Sequence, residues 1–214
     1  ALLDTSVEEA VSKSFVYLKG DTLGLDQIPE NTISSELLDF DPYSVLITEE
    51  KGVDANPLAV KSELAIRGPR TFFVCDPCDR SSPFHNFLSN NKKDKERVID
   101  VLNKKGAKQI WSRKFGQHPS VSGANIAITC VRRGLPICSV LINLITQEMT
   151  VACSAGIFIV RIDYKKDTAP SLSTIDRTKV LTFPSTVSGR ERFFTTFMGK
   201  PERGYPQNFA KTNL

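Results

Sequence analysis

The chain has 214 residues, 40% of them hydrophobic, and a net charge of +4 from 28 Lys and Arg against 24 Asp and Glu. That length and apolar content fit one large domain, or one domain plus part of another, and exclude a chain disordered over most of its length. The charge is mildly basic, which does not by itself imply nucleic acid and suits small anionic ligands equally well.

Residues 4–18, "DTSVEEAVSKSFVYL", predict an amphipathic helix capped by Asp4 or Ser6, with Glu8 and Glu9 near its positive end. Residues 19–27 read as a turn-rich loop. "PENTISSELLDF" (29–40) predicts a helix with Pro29 near its first turn. "YSVLITEE" (43–50) predicts a strand that ends on two carboxylates, and residues 51–62 read as a polar loop. "RTFFVCD" (70–76) predicts a second strand, also ending on a carboxylate. Polar residues at the tips of apolar strands are a common way to set a site on a rigid scaffold.

Residues 90–117 are strongly basic and interrupt the apolar pattern. They predict a short helix at 94–104 and otherwise a mobile appendage outside the core. Val98, Ile99, Val101 and Leu102 would form a stripe packing that helix onto the body. Segments 122–133, 135–145 and 148–162 predict an antiparallel meander, with turns at 132–134 and 146–147. Residues 165–174 read as a linker, 178–184 as a strand and 189–198 as a helix. The fold class expected is α+β: an antiparallel sheet flanked by helices.

Five cysteines are an odd number, and Cys130, Cys138 and Cys153 lie in apolar runs that read as buried. This is no disulfide framework, so the compartment expected is the cytoplasm or another reducing one. No signal peptide is visible, and no run approaches the roughly 20 apolar residues of a membrane helix, so no membrane partner is expected. The chain begins at Ala1 rather than Met, in keeping with removal of an upstream piece.

The stretch "VCDPCDRSSPF" (74–84) carries the chemistry. A zinc reading of Cys75 and Cys78 lacks a second ligand pair, since His85 and His118 show no paired spacing. A redox reading needs a following helix to lower a thiol pKa, and the sequence places Pro83 and a loop there. The carboxylates are more informative. Glu49, Asp76 and Asp79 lie at or just past strand ends, where unpaired they repel one another and a cation would hold them together. Such hard oxygen donors suit Mg²⁺, with Mn²⁺ as the alternative, and sites of this kind serve phosphoryl chemistry. The plainer alternative is a set of solvated strand ends, each neutralised by a lysine.

The ordered segments "DQIPENTISSELLDFDPYSVLITEE", "CDPCDRSSPF" and "VLINLITQEMTVACSAGIF" resemble the inositol monophosphatase and fructose-bisphosphatase superfamily of magnesium-dependent phosphomonoesterases. The resemblance covers roughly residues 4–89 and 118–198. It implies a sugar-phosphatase-type layered α/β domain over 1–165, with a basic insertion at 90–117. Residues 166–214 would then be a linker and the partial start of a second domain. By position it implies Glu49 as a metal ligand that also orients the attacking water, and Asp76 as a bridge between metals. It implies the Cys78 carbonyl as a ligand, Asp79 as a ligand of the second metal, and Asp26 as the acid tied to a weak third site. Ser81 would orient the water, Ser82 would sit in the phosphate-cradling turn, and Lys19 would match a loop lysine. On that reading the two cysteines are bystanders.

The chain departs from the pattern in several places. Arg80 stands where the family has a glycine that lets backbone approach phosphate. Its guanidinium would either contact a substrate anion or block the pocket. Thr48 and Pro83 also replace the usual residues, and the family's Trp-Asp segment with a further metal ligand does not occur in these 214 residues. The expected function is Mg²⁺-dependent hydrolysis of a small sugar- or inositol-type phosphate. The alternative is a non-catalytic relative acting as a binding or scaffold subunit, and on either reading a homodimer or larger complex is an expected partner state. A nucleic-acid partner through residues 92–114, where seven lysines and two arginines surround Trp111, is disfavoured against a solvated helix and loop.

Overall fold

The computed structural model describes residues 1–13, 22–56 and 71–164. Lys19, the linker at 165–174, the strand at 178–184 and the helix at 189–198 lie outside the described residues.

Among the described residues the sheet has seven strands: β1 (Val45–Thr48), β2 (Gly52–Ala55), β3 (Thr71–Asp79), β4 (Asn125–Arg132), β5 (Leu135–Asn143), β6 (Glu148–Cys153) and β7 (Gly156–Arg161). Their order is β2-β1-β3-β4-β5-β6-β7. Neighbours are antiparallel except β1 and β3, which run parallel with Leu46 opposite Phe73 and Thr48 opposite Cys75. The helices join it in an α+β architecture, as expected. Two strand assignments change. The polar loop after residue 50 contains β2, which pairs along the edge of β1. The long strand predicted at 148–162 folds back into β6 and β7, with Cys153 opposite Gly156. Between β4 and β5 the turn is Arg133-Gly134, both at positive φ (52° and 80°), the handedness that matches strand twist in a two-residue hairpin.

Among the described residues there are six α-helices: α1 (Val7–Ala10), α2 (Gly24–Phe40), α3 (Ser81–Asn91), α4 (Val98–Leu102), α5 (Ala107–Phe115) and α6 (Pro119–Ser122). Within the described residues α1 is shorter than predicted. Ser6 caps it, accepting from the Glu9 N–H at 3.2 Å. The chain then leaves the helix so that the Ser12 carbonyl can accept from the Gly24 N–H at 2.9 Å. That contact also explains why α2 begins at Gly24, leaving Pro29 inside the helix rather than near its first turn. A Cβ at Gly24 would lie 2.3 Å from the Glu9 carbonyl oxygen. One face of α2 covers the sheet, with Ile33 and Leu37, like Ile128 and Cys130 of β4, packed against the cluster of Leu46, Phe73 and Cys75.

The basic segment is not an appendage. Val98, Val101 and Leu102 of α4, with Ala107 and Trp111 of α5, join Phe84, Phe87 and Leu88 of α3 in the main core. Trp111 is fully buried, its ring 5.4 Å from that of Phe87 and 4.3 Å from that of Phe115. The lysines obscured this pattern. They hold the outer positions while spacings of three and four turn the apolar residues inward. The aromatic ring that a nucleic acid would need for stacking is therefore inside the protein. Cys130, Cys138 and Cys153 are half-buried rather than buried, whereas Cys75 and Cys78 are buried, and all five are free thiols. Among the described residues no helix is long and apolar enough to cross a membrane.

Candidate active site

β1 ends at Thr48, and Glu49 and Glu50 follow in the turn into β2. Beside it β3 carries Asp76 and Asp79. Its pairing with β4 slips between them, so the strand bulges at Pro77 and Cys78. A bulge re-aims side chains, and strand tips are where that matters. Asp76 Oδ1 accepts from the Cys78 N–H at 3.2 Å. Arg80 then takes a left-handed conformation (φ 65°, ψ 38°), and α3 starts at Ser81. Pro83 falls in the first turn of that helix, where a missing N–H costs nothing.

The helix after Asp79 corrects the sequence reading, which placed a loop there. It does not revive a thiol site. Burial, and then the charges of Asp26, Asp76 and Asp79, push the Cys78 thiol well above its ordinary range. Burial, followed by Asp76 and Glu30, pushes Cys75 to about 12. Both stay protonated and unreactive near neutral pH.

A pocket of about 280 Å³ opens here, with Asp26, Glu49, Asp79, Arg80, Ser81 and Ser82 in its wall. Glu50 and Cys78 line it too, while Asp76 does not. Asp76 is half-buried and feels the others through charge. Burial first, then Asp79, Glu49 and Asp26, raise its pKa to about 6 against the Cys78 N–H bond that opposes them. Asp26 sits in the first turn of α2 rather than in a loop, its Oδ2 accepting from the Leu23 N–H at 3.1 Å. Burial, with smaller contributions from Glu50 and Glu49, raises it to about 6 against hydrogen bonds from Leu23 and Ser81. Of the residues expected at the site, Asp26, Glu49, Cys78, Asp79, Arg80, Ser81 and Ser82 line this pocket, and Asp76 lies outside its wall. Among the described residues no three acidic, His or Cys side chains form a ready coordination sphere. The donors are nonetheless hard oxygens, and burial with neighbouring carboxylates disfavours the charged forms of Asp26 and Asp76, which is the chemistry a hard divalent cation answers.

Two supporting residues escaped the sequence reading. Glu30 is fully buried one helical turn after Asp26. Its Oε1 accepts from the Thr48 hydroxyl and from the Lys51 N–H, while Oε2 has no hydrogen-bond partner among the described residues. It thereby pins both ends of the turn that presents Glu49 and Glu50. The spacing of Asp26 and Glu30 was the available signal, since residues four apart share a helix face. The other is Ser122. Its carbonyl accepts from Arg80 Nη1 at 3.2 Å, and its hydroxyl accepts from Trp111 Nε1 at 3.0 Å.

The raised carboxyls set a pH dependence. Their folded value of about 6 exceeds the ordinary 3.8. Between those values the folded chain holds protons that the unfolded chain has released. Stability therefore falls as pH rises through this window, and the loss is complete above it. Both groups are partly solvated, so the combined effect is about 1–2 kcal/mol. Thermal unfolding in chelator should give a higher Tm at pH 5 than at pH 7.5, and Mg²⁺ should raise the value at pH 7.5. A chelated protein more stable at pH 7.5 would contradict this account.

No family model matches the sequence, and no curated protein matches it. Solved structures do show a likeness. The extragenic suppressor protein suhB of Bartonella henselae is 16% identical with a TM-score of 0.44, over 73% of this chain and 44% of that one. A hypothetical protein of Pyrococcus horikoshii with similarities to inositol-1 monophosphatase is 16% identical with a TM-score of 0.44, over 76% and 46%. A staphylococcal inositol monophosphatase soaked in LiCl is 12% identical with a TM-score of 0.40, over 72% and 42%. The chain spans less than half the length of these structures.

Proposed function

We propose that this chain forms the metal- and phosphate-binding part of a phosphomonoesterase acting on a small sugar- or inositol-type phosphate. The observation that carries the reading is the pocket where Asp26, Glu49 and Asp79 face the N-terminus of α3. Asp26, Glu49, Asp76, Asp79 and the Cys78 carbonyl are the groups that would hold Mg²⁺, or Mn²⁺ on the same donors. Such an ion, when bound, neutralises charge on the phosphoryl group and on the leaving oxygen.

The chain's own residues divide the remaining work. The first turn of α3 offers the N–H groups of Ser81 and Ser82 with the positive end of the helix, a natural place for a phosphate. The Ser81 hydroxyl is tied to Asp26, which fixes where it can orient a water. Glu49, in the turn braced by Glu30, would take the proton from that water as it attacks. The test is Mg²⁺-dependent release of phosphate from a panel of sugar and inositol phosphates. It should use the longer protein if the chain continues past Leu214. Glu49→Gln should lower turnover at least roughly a hundredfold, the lower range for a positioned base. Turnover indifferent to both chelator and Glu49→Gln would overturn the reading.

A further inference from the structure

Three of the five free cysteines lie side by side across the sheet. Cys130 of β4 is directly opposite Cys138 of β5, and Cys138 is directly opposite Cys153 of β6. Residues opposite one another in an antiparallel pair project from the same face, with Cβ atoms about 4.5–5.5 Å apart. Their Cα atoms are about 4.5 or 5.5 Å apart, inside the roughly 4.4–6.8 Å that a disulfide spans. Cys75, beside the candidate active site, faces Thr48 and Ile128 instead.

The two thiol pairs differ in freedom. Cys130 also faces Phe73 and packs against the cluster that contains it. Cys153 ends β6, and the exposed turn residues Ser154 and Ala155 follow it. On its other side it faces Gly156, which has no side chain. Its sulfur therefore has room to turn toward Cys138. Burial, and then Cys153, raise the Cys138 thiol above its ordinary range. That slows attack by this sulfur near neutral pH, but the equilibrium is set by reduction potential.

We propose that Cys138 and Cys153 form a thiol–disulfide site that a low-molecular-weight disulfide oxidises reversibly. One protein thiolate attacks a sulfur of the small disulfide and displaces half of it as a thiolate. The second protein thiolate attacks the first protein sulfur in this mixed disulfide and displaces the other half. The protein pair loses two electrons and two protons, and the small disulfide becomes two thiols. Neither cysteine lines the carboxylate pocket, so the proposal stands apart from the phosphatase reading. The plainer role is that of small, inert apolar side chains.

The test exposes the folded chain to oxidised glutathione, then alkylates the remaining thiols in denaturant. Cleavage after Glu148 separates Cys138 from Cys153, and trypsin, at Arg132 and Arg133, separates both from Cys130. Free thiols should fall by two from five. Fragments 134–148 and 149–161 should stay joined until dithiothreitol is added. Cys130→Ser should leave that link intact. Five thiols still alkylated, glutathione adducts without the link, or a link through Cys130 would overturn the proposal. So would a link that forms only in urea, which would show that the folded strands hold the two sulfurs apart.

Discussion

Trp111→Ala is expected to cost about 3–5 kcal/mol of unfolding free energy, the range for truncating a large buried aromatic. The ring is fully buried between Phe87 and Phe115, and its N–H is spent on the Ser122 hydroxyl. Against a typical total of about 5–15 kcal/mol, that loss is a large share. Urea denaturation followed by circular dichroism reads it directly. Trp111→Phe should cost clearly less. It keeps much of the ring, and the Ser122 hydroxyl retains the carbonyls of His118 and Gln117 at 3.3 and 3.5 Å. Deleting residues 90–114 should abolish the cooperative transition, because α4 and α5 share one core with α3. A deletion variant that unfolds cooperatively at the wild-type midpoint would show the segment to be an appendage after all. The consequence reaches the site, since Trp111 braces the residue whose carbonyl holds Arg80.

The parts of the fold that were legible in the sequence are those whose signal is local. β1 and β3 are apolar runs that end on carboxylates, so Glu49 and Asp79 could be placed at strand tips without coordinates. β2 could not. Gly52–Ala55 has one large apolar residue, Val53, which is 73% exposed, and its pairing is supplied by the edge of β1. The start of α2 was misplaced because Pro29 looked like a first-turn residue, whereas the deciding constraint is the close approach of Gly24 to Glu9 from another segment. The acidic cluster was legible as residues and not as energies. Nothing in the spacing of Asp26 and Asp76 says that burial, with smaller contributions from neighbouring carboxylates, lifts both to about 6. Arg80 is the clearest limit. Its left-handed backbone contradicts local propensity and is enforced by the strand–turn–helix around it.

Asp76→Asn is expected to produce two changes of opposite sign, which separates a metal site from an ordinary buried acid. The substitution removes a charge that Asp79, Glu49 and Asp26 repel. It keeps the oxygen that accepts from the Cys78 N–H. The metal-free protein at pH 7.5 should therefore become more stable by roughly 1 kcal/mol after allowance for solvent screening. The fall in stability between about pH 4 and pH 6 should shrink, because one of the two raised carboxyls is gone. Mg²⁺ affinity should drop at least roughly tenfold, since a neutral amide replaces a charged hard donor. An acid kept only for structure predicts the reverse pattern: loss of stability and no change in Mg²⁺ binding. Paired chelator and Mg²⁺ melts of wild type and variant, with calorimetric titration of Mg²⁺, decide between them. Stabilisation without loss of Mg²⁺ binding would leave the repulsion real but move the ion elsewhere, and Asp76 would no longer be a ligand.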